Sequence, residues 1–162
     1  MNNLSDLNLL LEKYNKEGEY IFRPLEITDY EKNYFGLLSQ LTVAPTPKRE
    51  NWIERFELIN STKLTKIYVC QFKDLIIATI TCSVEFKFIR NLGSICHIED
   101  FVIDEGHRKT GLGSKLLNLA KLYAKEVGCY KILLSCKDEV KMFYEKNGFQ
   151  KTSNGMTIYL EN

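Results

Sequence analysis

The sequence predicts an α/β domain with a central mixed, mostly antiparallel sheet flanked by helices, and three stretches predict it. Ser94 to Val127 runs from an apolar strand through a glycine-rich turn into a helix whose apolar stripe is Leu112, Leu116, Leu117, Leu119, Ala120 and Tyr123. Ahead of it, Lys66 to Phe72 and Leu75 to Phe88 read as two strands joined by a Lys73-Asp74 hairpin turn. Behind it, Tyr130 to Cys136 (YKILLSC) reads as a buried strand, and its partner must be parallel because a helix intervenes.

The remaining elements follow in chain order. Leucines at 4, 7, 10 and 11, with Ser5 and Asp6 available as caps, make residues 1–18 an amphipathic helix or a docked arm. Glu19 to Leu25 (EYIFRPL) is a strand, with Pro24 marking its end or an edge position. Thr28 with Glu31 forms a capping box before Tyr30, Tyr34, Leu37, Leu38 and Leu41 at helical spacing. Leu41 to Pro47 is a loop, and Thr46 followed by Pro47 opens a second helix through Trp52, Phe56 and Ile59. Gly128 stops the central helix. Asp138 then caps a short helix through Val140, Phe143 and Tyr144, ended by Asn147-Gly148, and Phe149 to Leu160 is expected as a last strand or hairpin.

At 162 residues and 44% hydrophobic, the chain can bury one good core, so residues 1–162 are expected to form a single domain. Twenty-two basic against 21 acidic residues leave a net charge of +1, too little to favour nucleic acid or an anionic membrane. Any bound anion must be held by a local site. Cys70, Cys82, Cys96, Cys129 and Cys136 include no CxxC pair and lie in or beside apolar runs, as reduced core thiols of a cytoplasmic protein do; neither disulfides nor a metal is expected. The start MNNLSDLN has no basic region before an apolar one, and Thr79 and Thr81 interrupt the longest apolar run, so neither a signal peptide nor a membrane span is expected.

The turn of the central stretch is Arg108-Lys109-Thr110-Gly111-Leu112-Gly113-Ser114. It matches neither GxxxxGK[ST] nor GxGxxG, which leaves RxxGxG. Two glycines there leave backbone N–H groups uncovered at the positive end of a helix, where a phosphate can be held; the same pattern also fits an ordinary turn whose glycines serve close packing. Within the strand, Glu99 and Asp100 are adjacent carboxylates, costly to bury unless a cation compensates. A substrate amine is such a cation, and so is a lysine such as Lys87 or Lys131. On a regular strand the two would face opposite ways unless a bulge intervenes.

RxxGxG resembles the acetyl-CoA pyrophosphate loop of the GNAT N-acetyltransferases, patterned Q/R-x-x-G-x-G/A, and the element order β-α-α-β-β-β-α-β-α-β is that of their fold. KFI at 87–89, HIED at 97–100, GCYKI at 128–132 and FYEKNGF at 143–149 are together similar to the glucosamine 6-phosphate N-acetyltransferases, over about Leu41 to Met156. The resemblance implies a homodimer moving acetyl from acetyl-CoA to the 2-amino group of D-glucosamine 6-phosphate, on the route to UDP-N-acetylglucosamine. The alternative is a GNAT enzyme acting on another small-molecule or protein amine. By the same resemblance, backbone groups of Phe101, Val102 and Ile103 would meet the pantetheine arm, and Arg108, Lys109, Thr110, Gly111, Leu112, Gly113 and Ser114 the pyrophosphate. Tyr144, Glu145 and Lys146 would complete the cofactor contacts. Thr42, Lys87, Phe88, Ile89, Arg90, Glu99, Asp100, Tyr130, Lys131 and Ser135 would line the sugar site, with Arg90 and Lys131 the charges for the phosphate; each of these, and Lys87 above all, could instead be a solvated charge. Glu99 and Tyr144 are the expected catalytic pair, the tyrosine hydrogen-bonding or protonating the leaving thiolate; without the family, Tyr144 reads as packing beside Phe143.

Three positions depart from that pattern. Ser135 stands where the family usually has a carboxylate near the amine, Val140 replaces an asparagine near the cofactor, and Tyr159 replaces an arginine that reaches the substrate phosphate across the dimer interface. Glu99, acting through water, is the expected substitute base.

Overall fold

The computed structural model describes residues 5–160. Its sheet has five strands in sequential order: β1 (Tyr20–Pro24), β2 (Thr65–Phe72), β3 (Leu75–Phe86), β4 (Ser94–Ile103) and β5 (Cys129–Leu133). The first four are antiparallel and β5 runs parallel to β4. The helices are α1 (Asp6–Lys16), α2 (Tyr34–Leu38), α3 (Arg49–Thr62), a kinked turn α4 (Ile89–Leu92), α5 (Leu112–Glu126) and α6 (Lys141–Lys146).

Each face of the sheet has its own core. On one, α5 buries Leu116, Leu117, Leu119 and Ala120 completely against Tyr68, Cys70, Ile80 and Cys96, with Leu7 and Tyr14 of α1 beside them. Each such leucine removed from water contributes about 1.5–3 kcal/mol. On the other, α2 and α3 press Tyr34, Leu37 and Trp52 onto Val69, Ile76 and Val102. Ser5 accepts from the Asn8 N–H to start α1, and Glu126 at the end of α5 accepts from the Leu7 N–H at 2.9 Å. Asn15 closes the exposed edge of β1, accepting from the Phe22 N–H at 2.7 Å and donating to its carbonyl at 3.0 Å.

One buried ion cluster ties β1 to the other layer. Asp29 is fully buried; Arg23 donates to its two oxygens at 2.7 Å each, the Glu26 N–H at 2.8 Å, and Lys32 lies at 3.1 Å. Burial pushes the carboxyl up, but the Arg23 hydrogen bonds, the Glu26 N–H and Lys32 outweigh it and hold Asp29 below the usual carboxylate range.

Several expected boundaries move. The capping box at 28–31 is instead Glu26 with Asp29, and the helix expected through Leu41 is a 3-10 turn, Ile27–Glu31, then α2, because Asn33 takes a left-handed φ of 60° that breaks the run. Lys48, not Thr46, is the N-cap of α3. β3 ends at Phe86 and β5 at Leu133, two and three residues early. Asp138 lies inside a 3-10 turn, Asp138–Val140, capped by Lys137. Cys136 is exposed, so it is not a core thiol; Cys129 is half-buried, while Cys70, Cys82 and Cys96 are buried. The last strand is absent: 150–160 carries no regular structure, with Met156, Ile158, Tyr159 and Leu160 at 79–98% exposure. Those residues bury no face, and a strand without a buried face does not form.

Candidate active site

Between β3 and β4 the register slips by one: Thr79 pairs with Val102, and Thr81 with Glu99. The extra residue is Asp100, with φ of 46°, which a non-glycine residue adopts only under local constraint. The bulge resolves the alternation problem at Glu99 and Asp100. Both side chains are exposed rather than buried, so the compensating cation expected from burial is not required, and neither lysine serves. Lys87 pairs with Glu85, and Lys131 lies over the Tyr130 ring at 5.8 Å. Asp100 instead borders a cavity of about 370 Å³ walled by Tyr34, Phe35, Trp52 and Phe56. Burial pushes the Tyr34 hydroxyl up to about 12, and the Asp100 charge adds to the shift.

Beyond the pairing of His97 with Leu133, β4 and β5 separate. The backbone edge of 99–103 that would face β5 is therefore unpaired on that side, as a pantetheine arm requires. At its far end the chain turns through Asp104 and a 3-10 turn, Glu105–His107, into α5. Gly111 is the N-cap at φ of 88°, and a Cβ there would meet open space; glycine is needed for the backbone conformation. Gly113 is needed for contact: its Cβ would sit 2.9 Å from both Ile103 Cδ1 and Phe143 Cζ. Close packing accounts for Gly113, and the positive φ accounts for Gly111. Arg108, Lys109, Thr110 and Gly111 are exposed; Arg108 Nε donates to the Ile103 carbonyl at 3.1 Å, and Thr110 donates to the His107 carbonyl at 2.6 Å. Leu112 is buried, so it offers an anion only its backbone, while Ser114 is half-buried.

Any side chain at Gly113 would push into Ile103 and Phe143. We expect Gly113→Ala alone to destabilise the fold by about 1–3 kcal/mol and raise the acetyl-CoA KM, because overpacking displaces α6 from β4. Thermal melts with acetyl-CoA titration check this; a melt within a degree of wild type would refute it.

Tyr144 is half-buried in a cluster of Phe101, Phe143 and Phe149, with ring centroids at 6.3, 5.2 and 5.9 Å. Burial pushes its hydroxyl up to about 12. Glu145 pairs with Lys141 at 3.2 Å and Lys146 is exposed. Val102 is buried in the second core and can serve a cofactor only through its backbone.

The expected phosphate charges cluster, though away from the bulge. Arg90 lies over the Tyr130 ring at 5.9 Å, and Gly93 leaves room for that ring, since a Cβ would meet it at 2.8 Å. Lys131 is level with Ile95, four residues or roughly 13 Å from the level of Glu99. Phe88 and Ile89 are 95% and 65% exposed, and Arg90, Asn91 and Leu92 all take left-handed φ values of 55–59°. Thr42 and Ser135 are exposed, and a Cβ on Gly155 would come 4.0 Å from Ser135 Oγ, so the tail runs past the serine. Val140 and Tyr159 are exposed as well. Gln40 escaped notice in the sequence: it donates to Asp104 Oδ2 at 2.7 Å and accepts from the Glu105 N–H at 3.0 Å, joining the Thr42 loop to the end of β4. Nothing in a lone polar residue after a short helix signals that. His97 was also passed over, although it is two residues from Glu99 and shares its face. No three His, Cys, Asp or Glu side chains group as a metal site among the described residues, and no helix there is long and apolar enough to cross a membrane.

Residues 63–151 match the acetyltransferase (GNAT) domain. The chain is 39% identical over 142 residues to glucosamine 6-phosphate N-acetyltransferase 1 of Dictyostelium discoideum, covering 86% of this chain and 90% of that one. It is 34% identical over 147 residues to glucosamine 6-phosphate N-acetyltransferase 1 of rice (Oryza sativa subsp. japonica), covering 88% and 89%. The crystal structure of glucosamine-6-phosphate N-acetyltransferase from Arabidopsis thaliana superposes with a TM-score of 0.87 at 38% identity, over 89% of this chain and all of that one. With a bulged β4 parting from β5 beside the glycine-capped α5, the chain belongs to the glucosamine 6-phosphate N-acetyltransferase family, within the GNAT acetyltransferases.

Proposed function

We propose that the protein transfers the acetyl group of acetyl-CoA to the 2-amino group of D-glucosamine 6-phosphate, releasing CoA and N-acetyl-D-glucosamine 6-phosphate for UDP-N-acetylglucosamine synthesis in the cytoplasm. The observation that carries this reading is the parting of β5 from β4, with Gly113 of α5 packed beside Ile103 and Phe143 and with Tyr144 beside Phe101. The thioester carbonyl lies along the edge past Asp100, and the N–H groups of the first turn of α5, with Arg108 and Lys109, hold the pyrophosphate. The amine attacks the carbonyl carbon, the C–S bond breaks, and the Tyr144 hydroxyl donates a hydrogen bond to the departing thiolate. Glu99 and Asp100 hold the ammonium group, and Thr42 and Ser135 contact the sugar.

The protein acts as a homodimer in this reading. The support is the outer edge of β5, which pairs with no strand among the described residues, and the apolar tail at 156–160 that its own protomer leaves uncovered. A second copy also offers Arg90 and Lys131 a route to the phosphate, which they otherwise approach only at full stretch. Light scattering tests the assembly, and deletion of 150–162 should yield monomers.

Thiol release with glucosamine 6-phosphate against glucosamine and glucosamine 1-phosphate tests the substrate. The 6-phosphate should be preferred by at least about tenfold, and equal rates with all three would refute it. Glu99→Gln should lower kcat/KM by about a hundredfold and Ser135→Ala by less than about threefold, since only the first removes a charge facing the ammonium. If Ser135→Ala is the more damaging, the serine carries the amine contact.

A further inference from the structure

The bulge leaves one step without an agent. An amine near neutral pH is partly an ammonium ion, and it must lose a proton before it can attack; the family carboxylate at 135 is here a serine. Glu99, exposed beside the bulge, can hold the cation through its charge, which leaves the proton to be taken by a second group.

The sheet register places an imidazole on the same face. Residues 95, 97 and 99 of β4 alternate onto one face, with His97 opposite Ser83 of β3 and Leu133 of β5, and Glu99 opposite Thr81. His97 therefore stands about 7 Å along the strand from Glu99, on the same face. Its side chain is one-third exposed, at 33%. Its Nε2 lies 2.8 Å from Glu85 Oε2, and the other oxygen of Glu85 is held by Lys87. A carboxylate on Nε2 fixes the tautomer with its proton on Nε2 and leaves Nδ1 as the lone-pair acceptor. The Glu85 carboxyl is itself held below its usual range by its hydrogen bonds to Lys87 and His97, so it remains an anion. The charged groups that share this face with His97 are Glu85 and Lys87 at the end of β3, Glu99 on β4 and Lys131 on β5. Lys87, expected to bind sugar, is thereby turned to a different task.

We infer that His97, oriented by Glu85, accepts the proton of the substrate ammonium, directly or through one water beside Glu99. One N–H bond of the ammonium breaks toward Nδ1, the freed nitrogen lone pair forms the new N–C bond as C–S cleavage sends its electrons to sulfur, and the acylated nitrogen then gives a second proton to the departing thiolate, leaving a neutral amide and the CoA thiol. The imidazolium, stabilised by Glu85, then returns its proton to solvent. The inference rests on the amine-acetylation reading above.

The test is kcat/KM for glucosamine 6-phosphate from pH 6.5 to 9, by thiol release, for wild type, His97→Asn and Glu85→Gln. The base is needed only while the amine is protonated. His97→Asn should lose about thirtyfold near pH 7.5 and come within about twofold of wild type at pH 9, and imidazole in the buffer should restore part of the loss in His97→Ala near pH 7.5. Glu85→Gln should show the same pH pattern at smaller depth, since a neutral amide still accepts from Nε2 but does not stabilise the imidazolium. A loss of equal size at every pH, or no loss, would overturn the inference while leaving the reaction intact. A wild-type protein inactive on glucosamine 6-phosphate would overturn the substrate reading itself.

Discussion

Tyr144→Phe should lower kcat about a hundredfold and leave both KM values within about twofold. The phenol sits among Phe101, Phe143 and Phe149, where burial pushes it up to about 12. A leaving CoA thiolate has the basicity of an ordinary thiol, near 8.5, so full proton transfer from Tyr144 would run uphill by roughly three units. We therefore propose that the hydroxyl serves as a hydrogen-bond donor rather than as an acid. Donors that meet charge only as it develops lower the barrier without tightening ground-state binding, and the loss of one typically costs about 10²- to 10³-fold in kcat. Phenylalanine keeps the aromatic packing, which separates the hydroxyl from the core. The raised value also means that Tyr144 stays protonated below about pH 10, so it should contribute no alkaline fall in kcat over the assay range. Single-turnover thiol release isolates the chemical step, and an unchanged rate would return Tyr144 to a packing role.

Asp29→Ala should cost about 3–5 kcal/mol of stability, the range for breaking a buried ion pair by removing one partner. The loss leaves Arg23 and Lys32 facing a buried void and the Glu26 N–H without its acceptor. Asp29→Asn keeps the shape and some hydrogen bonds, and should cost less. The folded-state carboxyl is held below its unfolded value. Its contribution is therefore fully present above the unfolded value of about 3.9, and is lost as pH falls through the lower folded value. Urea unfolding at pH 7 and at pH 3 measures both effects: the gap between wild type and Asp29→Asn should narrow in acid. A shift under about 1 kcal/mol at pH 7 would show that the cluster is solvated after all.

The two corrections nearest the chemistry share a cause. Adjacent carboxylates in an apolar strand imply burial only if the strand is flanked on both sides, and β5 leaves β4 at His97, before either carboxylate is reached. Likewise, a glycine pattern states that side chains are unwelcome without stating what would exclude them. At Gly111 it is the backbone angle, and at Gly113 it is Phe143, thirty residues further along the chain.

Hydrophobic periodicity and turn chemistry act over a few residues, so the sequence by itself determined the strands at 66–72 and 94–103, the central helix, the glycine turn and a parallel return after Gly128, though not where that last strand ends. Short motifs also pointed to the family, because HIED, RxxGxG and GCYKI together are far more specific than any one of them. The tertiary structure alone decided which residues meet across the sheet. The bulge at Asp100, the Glu85–His97 pair, the Gln40 bridge and the Asp29 cluster all depend on register or on contacts between separate elements. A one-residue slip in strand pairing exchanges the faces of the side chains beyond it, so these contacts are fixed by the packed sheet and not by neighbours in the chain.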